Sequence, residues 1–268
     1  MEELSPSYLV DLIKYPIADL SAPKAKELLA HCQDRLQSMG CCVLPGFLKS
    51  EATVRMVEEA KAIVPQTYWS TVEGNPYLEP ENATLPEDHP HRSKETTKLG
   101  ALAYDQIPAH HAIRKLYEWD GLIAFLAAAL GKEKLFRYAD PMGALNVAVM
   151  KDGDYLRWHF DQTDFVTSIT LQDADEGGDF ECVPKIRNPE AENYDRVKAL
   201  LKGDRTGVVK LEMDPGALVL FQGRYTIHRV TPIQGKALRL VALLGYDTKP
   251  GVVSSEHLRT MRYGRTAK

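Results

Sequence analysis

The chain has 268 residues, a formal net charge of −4 and a hydrophobic fraction of 44%. These values are ordinary for a globular protein, and the mild acidity argues against a nucleic-acid partner, which usually meets a basic stripe. The longest apolar run, Leu122–Leu130, is too short to span a bilayer, and Met1–Ser7 lacks the apolar segment of a signal peptide. We therefore expect one cytoplasmic domain over residues 1–268, with no membrane partner.

The N-terminal part of the chain, residues 1–135, carries three helical patterns. Lys24–Met39 repeats apolar residues at helical spacing and ends at Gly40, a typical C-cap residue. A second helix is predicted to begin after Ser50, and a third to span His110–Leu130. One short strand, Cys41–Pro45, lies between the first two helices.

Pro65–Lys98 interrupts this helical region. The segment is rich in Pro, Asn, Glu and His and shows no sustained period. The pattern predicts a long loop, and loops of this length in compact domains often serve as lids or binding loops. The aromatic residues Tyr68, Trp69 and Tyr77 could contact a ligand or simply pin the loop to the domain.

Residues 136–250 read as many short strands separated by Gly, Asp or Pro, which is typical of a sandwich or barrel. Asn188–Lys202 is predicted as a helix or polar insertion among them. We therefore expect a mainly β protein with N-terminal helices, whose core is a double-stranded β-helix (a cupin-like jelly roll). The predicted strands are Ala144–Met150, Tyr155–Phe160, Phe165–Leu171, Asp179–Val183, Val208–Met213, Ala217–Phe221, Thr226–Pro232 and Leu238–Tyr246.

Two histidines and one aspartate form the main candidate site. His159 and Asp161 are two residues apart at the end of a predicted strand, so their side chains point to the same face. His228 opens a later strand and could supply a third ligand, although a lone strand histidine is more often structural. Two imidazoles and one carboxylate match the facial triad of non-haem Fe(II) oxygenases, which leaves positions on iron for a co-substrate and O₂.

Arg239 strengthens this interpretation. It is a guanidinium within the otherwise apolar run Ala237–Leu244, one strand after His228. A buried charge is costly unless it meets an anion, so Arg239 either faces solvent, pairs with an acidic residue or holds a ligand. A bidentate fork suits a dicarboxylate.

A longer pattern surrounds the triad. It consists of His159–Phe165, Leu171–Gln172, Glu176–Glu181, Val183–Pro184, Ile186–Arg187 and the N-terminal Val43–Leu48. With the distal histidine and arginine, this pattern resembles the Fe(II)/2-oxoglutarate-dependent dioxygenases, and more narrowly the hydroxylating relatives of the radical amino-acid halogenases. The resemblance implies Fe(II), 2-oxoglutarate and O₂ as cofactors, with His159, Asp161 and His228 as catalytic metal ligands.

The resemblance also implies a branch of the chemistry. Halogenases of this family carry a small residue, typically glycine, where this chain has Asp161, and so leave a place for chloride on iron. With the carboxylate present, hydroxylation of an unactivated C–H is expected instead. The superfamily often places Ser or Thr two residues after the arginine, but Val241 stands there. Thr231 or Tyr225 is then the candidate donor to 2-oxoglutarate, and Asn146 a further contact.

The substrate is the least constrained part of the prediction. The family resemblance implies a small polar molecule, and a free amino acid in particular. Candidate contacts flank the metal strand: Arg157, Trp158, Gln162, Thr163 and Asp164. Two other functions remain open, namely a catalytically silent cupin-like binding protein and a zinc-dependent hydrolase or isomerase on the same triad.

Overall fold

The computed structural model describes residues 4–266. The helices within this range are α1 (Pro6–Leu9), α2 (Pro23–Met39), α3 (Ser50–Ile63), α4 (Ala112–Glu118), α5 (Asp120–Ala129), α6 (Tyr194–Leu201) and α7 (Glu256–Tyr263). The strands are β1 (Cys41–Leu44), β2 (Tyr68–Gly74), β3 (Glu95–Leu102), β4 (Phe136–Arg137), β5 (Leu145–Met150), β6 (Leu156–His159), β7 (Val166–Gln172), β8 (Glu176–Gly177), β9 (Phe180–Val183), β10 (Val209–Leu211), β11 (Leu218–Phe221), β12 (Ile227–Val230), β13 (Ile233–Gln234), β14 (Arg239–Leu244) and β15 (Tyr246–Asp247).

Two antiparallel sheets form the core. The major sheet has seven strands in the order β1-β11-β7-β14-β5-β3-β2, and the minor sheet has four in the order β10-β9-β12-β6. Val219 and Phe221 of the major sheet pack with Cys182 and Leu211 of the minor sheet, so the two sheets face each other across an apolar layer. This two-sheet arrangement confirms the predicted jelly roll.

The major sheet has two faces of different character. Leu240, Ala242 and Leu244 of β14 join a large apolar core that also contains residues of α2, α3 and α5. Because side chains alternate along a strand, Arg239, Val241 and Leu243 lie on the other face, towards the minor sheet. Burial of each leucine on the helix-covered face contributes roughly 1.5–3 kcal/mol to folding. The helices therefore stabilise the sheet from outside and leave its inner face for the site.

The sequence prediction matches the core strands closely. Each of the eight predicted strands coincides with an observed strand to within two residues at either end. The helix predicted before Gly40 is α2, and this glycine has φ +69°, as a C-cap requires. The helix predicted over His110–Leu130 is divided into α4 and α5, because Trp119 between them is extended.

The predicted loop over Pro65–Lys98 is wrong at both of its ends. β2 and β3 pair there as an antiparallel hairpin at the edge of the major sheet. β2 is mostly exposed, and an exposed edge strand needs no apolar alternation, which removes the usual signal. Of the segment's aromatic residues, Trp69 lies beneath Lys151, whose Nζ is 4.0 Å from the ring centre, and Tyr77 is buried against His91.

Two other features complete the fold. α7 packs against β2 and β3, and no pattern had predicted it. Within the described range, no helix has the length and apolar character needed to cross a membrane.

Candidate metal centre

The two histidines of the predicted triad lie side by side on neighbouring strands. His159 of β6 and His228 of β12 are direct antiparallel partners, with ring centres 4.1 Å apart. The Nδ1 of His159 is 2.9 Å from the Arg157 carbonyl oxygen, and the Nδ1 of His228 is 3.1 Å from that of Thr226. A carbonyl can only accept, so each Nδ1 carries the proton and each Nε2 presents a lone pair.

Asp161 closes the triangle. Its Oδ1 is 3.8 Å from the Nε2 of His159 and 3.7 Å from the Nε2 of His228. The three ligand atoms all lie within 4.8 Å of one another. Gly223 makes this position possible, because a Cβ there would lie 1.7 Å from Asp161 Oδ2. The Asp161 N–H also donates to the Gly223 carbonyl at 3.0 Å, which fixes the chain where β6 ends.

Burial sets the protonation of the three side chains. Burial, together with the nearby His228, lowers the pKa of His159 to about 3, and burial lowers the pKa of His228 to about 4. Burial also raises the pKa of Asp161. Both imidazoles are therefore neutral near pH 7, which is the form that coordinates a metal.

Aromatic rings surround the histidine pair on the apolar side. The ring centre of Phe221 lies 4.7 Å from that of His228, and the ring centre of Phe180 lies 5.3 Å from it. These contacts place the triad between the two sheets rather than on the outer surface.

Arg239 is buried on the inner face of the major sheet, with only 5% of its surface exposed. Its Nε has no hydrogen-bond partner among residues 4–266, and its Nη1 lies 3.9 Å from the sulfur of Met150. Burial lowers the pKa of Arg239 to about 10, so the guanidinium remains charged at neutral pH. Gly178 leaves room for it, since a Cβ there would lie 3.0 Å from Arg239 Cδ.

The other two residues predicted to contact a co-substrate lie in different surroundings. Asn146 of β5 is buried and pairs across the ladder with Leu243, on the inner face of the major sheet. Thr231 follows β12, and its hydroxyl accepts a hydrogen bond from the Asp179 N–H at 2.9 Å. Asn146 thus faces the space between the sheets, whereas Thr231 already ties two segments together.

The predicted substrate contacts are spread over two faces. Trp158 lies on the face of β6 opposite His159 and packs with Val197 and Leu200 of α6. Gln162 and Asp164 follow Asp161 in the loop after β6. The Gln162 side chain donates to the Leu78 carbonyl at 3.2 Å, and Asp164 pairs with Arg224 at 2.6 Å. Gln162 and Asp164 are close to Asp161 in sequence, whereas the Trp158 side chain points away from the triad.

Arg157 of β6 and Glu95 of β3 are two further charges that attract each other. Arg157 lies two residues before His159, on the same face of β6. Its Nη1 donates to the Val72 carbonyl at 3.2 Å and to Thr97 Oγ1 at 3.1 Å, and its Nε has no partner in the described part of the chain. Burial raises the pKa of Glu95, and attraction from Arg157 offsets only part of the rise. No sequence pattern points to Glu95, because it opens β3 within the segment that the sequence predicts to be a loop.

This fold and site define a class, the jelly-roll proteins with a His-Asp-His centre, and the comparisons identify the family. The family model described as Halogenase D matches residues 24–262. The chain therefore belongs to that family, which confirms the predicted relation to the radical halogenases and their Fe(II)/2-oxoglutarate superfamily. No curated protein sequence matches this chain.

Solved structures with the same fold have little sequence in common with the chain. One is a 2OG-Fe(II) oxygenase-family oxidoreductase from Burkholderia pseudomallei, which is 14% identical with a TM-score of 0.54. The match covers 84% of this chain and 92% of the Burkholderia chain. The α-ketoglutarate-dependent epimerase SnoN of nogalamycin biosynthesis is 15% identical (TM-score 0.58; coverage 82% and 81%). A prolyl hydroxylase from Trichoplax adhaerens is 16% identical (TM-score 0.53; coverage 82% and 89%). These similarities establish the fold.

Proposed function

We propose that this protein is an Fe(II)/2-oxoglutarate-dependent oxygenase that hydroxylates an unactivated C–H of a small polar substrate, with a free amino acid as the expected class. The observation that carries the proposal is the convergence of two Nε2 lone pairs and one carboxylate oxygen within 4.8 Å, inside a sandwich that also buries Arg239, whose Nε has no partner among residues 4–266.

The donor set fits ferrous iron. His159, His228 and Asp161 supply two neutral nitrogens and one carboxylate oxygen from one side, the facial arrangement that leaves room for other ligands. When bound, iron would couple oxidative decarboxylation of 2-oxoglutarate by O₂ to hydroxylation of the substrate, with succinate and CO₂ as co-products. The carbonyls of Arg157 and Thr226 fix the tautomer of both imidazoles, which keeps each Nε2 aimed at the same point.

Arg239 fits the distal carboxylate of 2-oxoglutarate. Asp173 and Asp179 attract Arg239, but among the described residues neither comes within 4.0 Å to form a salt bridge. A dicarboxylate would pair with this buried cation directly by a charge-assisted fork. Asn146 lies on the same inner face and offers an amide to the bound acid. Phe180 and Phe221 exclude water beside His228, so polar contacts within the site act in a low dielectric.

Asp161 decides between hydroxylation and halogenation. The carboxylate fills the position that a halide would need, so the family name does not carry the activity over to this chain. We infer that Asp161→Gly abolishes hydroxylation and lowers iron affinity. Gly223→Ser is a matched probe of the same ligand, because any Cβ at residue 223 displaces the Asp161 carboxylate. Unchanged hydroxylation in Asp161→Gly would mean that Asp161 is not a ligand.

The charges of Arg157 and Glu95 support a zwitterionic substrate. Arg157 shares a strand face with His159, and its Nε has no partner among the described residues. Glu95 is a partly buried carboxylate that Arg157 and Arg229 attract, but no cation in the described chain forms a salt bridge with it. One charge could take an α-carboxylate and the other an ammonium group. We expect Arg157→Met and Glu95→Gln each to raise KM for the amino acid at least tenfold and to leave 2-oxoglutarate binding unchanged.

The test begins without oxygen. Anaerobic Fe(II) and 2-oxoglutarate should together give a visible charge-transfer absorbance that neither gives alone, and a panel of free amino acids should then release succinate in air. Metal binding without 2-oxoglutarate binding or succinate would favour the cupin-like binding protein. Turnover that needs zinc and no keto acid would favour the hydrolase or isomerase. Either result would overturn the proposal.

A further inference from the structure

Two threonines of β7 are buried without a hydrogen-bond partner for their hydroxyls. Thr167 is 1% exposed and Thr170 is 0% exposed, and neither Oγ1 has a partner in residues 4–266. Buried hydroxyls are normally satisfied, so each of them requires an explanation. Their positions on the strand give two different explanations.

Thr167 lies on the helix-covered face of the major sheet. Its ladder partners are Leu220 of β11 and Leu244 of β14, and both belong to the apolar core shared with the helices. This hydroxyl faces leucines rather than a site.

Thr170 lies on the opposite face, towards the minor sheet. Its neighbours Ile169 and Leu171 both belong to the helix-side core, so the alternation turns Thr170 inwards. Its ladder partner is Val241, which is two residues after Arg239 and on the same face. Val241 itself has no hydroxyl, and Thr170 places one directly beside it.

The register also fixes where Thr170 lies along the sandwich. One end of β7 is Val166, whose partner Phe221 contacts His228. The other end is Gln172, whose partner Leu240 is adjacent to Arg239. In the strand direction, Thr170 therefore lies between the end of β7 beside Phe221, which contacts His228, and the end beside Arg239.

We propose that Thr170 Oγ1 donates a hydrogen bond to the distal carboxylate of 2-oxoglutarate and shares that carboxylate with Arg239. The inference rests on the proposed function. It explains two unsatisfied donors on one face, the Thr170 hydroxyl and the Arg239 Nε, by a single anion. Thr170 is then a residue that binds the co-substrate, supplied by the strand beside β14.

The test compares two keto acids and two isosteric variants. Anaerobic Fe(II) protein is titrated by calorimetry with 2-oxoglutarate and with pyruvate, which chelates iron but has no distal carboxylate. Thr170→Val should raise the Kd for 2-oxoglutarate roughly tenfold or more and leave the Kd for pyruvate unchanged. Thr167→Val is the matched control, because it removes an equally buried hydroxyl from the other face and should change neither Kd.

Three results would overturn the inference: no change in Thr170→Val, an equal loss for both keto acids, or the same loss in Thr167→Val. Thr170→Ala should show the same selective loss and serves if the valine variant does not fold. If the unmodified protein itself does not bind 2-oxoglutarate, the proposed function fails, and this outcome is distinct from a failure of Thr170 alone.

Discussion

Asp140 and Arg239 are both buried charges, but their surroundings differ. The Asp140 side chain is 0% exposed, and both of its oxygens accept hydrogen bonds. The donors are the backbone N–H groups of Met142 at 2.9 Å, Gly143 at 3.0 Å and Ser254 at 2.6 Å, and the Nε of Arg259 at 3.3 Å. Arg239 has one weak contact to a sulfur and an Nε without a partner among the described residues.

The difference is the one expected between a structural charge and a charge that binds a ligand. A buried carboxylate with a complete set of donors holds its neighbours together and needs nothing further. Arg239 feels only the attraction of Asp173 and Asp179 and has no direct ion pair among the described residues, so its burial is incompletely compensated in the ligand-free protein. Asp140 therefore holds the loop between β4 and β5, whereas we propose that Arg239 binds the co-substrate.

The largest expected effect comes from Arg239→Met. Removal of the cation should raise the Kd for 2-oxoglutarate at least about 100-fold, because the bound carboxylate would be left buried without its main partner. The free energy of unfolding of the ligand-free protein should stay the same or rise, since an unpaired charge is replaced by an apolar chain. Anaerobic titration and urea unfolding measure the two quantities.

Arg35→Met is the control for this experiment, because Arg35 is an exposed arginine on α2. It should change neither quantity. A large loss of stability in Arg239→Met without a change in 2-oxoglutarate affinity would mean that Arg239 is structural, like Asp140.

Asp140→Asn should give the reverse result. The amide can still accept at one oxygen, but its NH₂ group would face the donors of Ser254 and Arg259. We expect the free energy of unfolding to fall by about 2–3 kcal/mol and the Kd for 2-oxoglutarate to stay constant. Asp120→Asn alters a carboxylate that is 93% exposed and should change stability by less than about 1 kcal/mol. A higher Kd for 2-oxoglutarate in Asp140→Asn would mean that Asp140 also affects the site and is not purely structural.

The sequence indicated a role for Arg239 but gave no signal for Asp140. Arg239 stands out because a guanidinium is rare within an apolar strand, and its position after His228 indicated a ligand. Asp140 lies in a short loop where an aspartate is unremarkable, and its donors Ser254 and Arg259 are more than 100 residues away. Only the folded chain brings these groups together, so no local pattern could reveal them.

Sequence patterns were also able to indicate only some residues of the candidate site. His159, Asp161 and His228 could be found because the first two share a strand face and the third belongs to a resembling motif. Thr170 and Glu95, the two residues that we propose in addition, carry no such sequence signal. The position of Thr170 beside Val241 depends on the strand register, which includes an irregularity between Leu240 and Val241. Glu95 lies on the β2–β3 hairpin, whose exposed edge strand carries no periodic signal.

The smallest expected effect is a change with pH in the stability that the Asp140 carboxylate contributes to the folded protein. Burial alone would raise the pKa of Asp140, but the hydrogen bonds from Met142, Ser254 and Gly143 outweigh it and lower the pKa to about 2. An aspartate in the unfolded chain has a pKa of about 3.9, so the folded state binds this proton less readily. The stabilisation is therefore complete above roughly pH 5 and is lost as the pH falls from about 4 towards 2.

Urea unfolding of the unmodified protein and Asp140→Asn at a series of pH values measures this effect. The difference in free energy of unfolding between the two proteins should be constant near neutral pH and should narrow at acidic pH, because asparagine does not titrate. If the difference at about pH 3 equals that near neutral pH, the loss in Asp140→Asn comes from misplaced hydrogen bonds, and the charge of Asp140 contributes little.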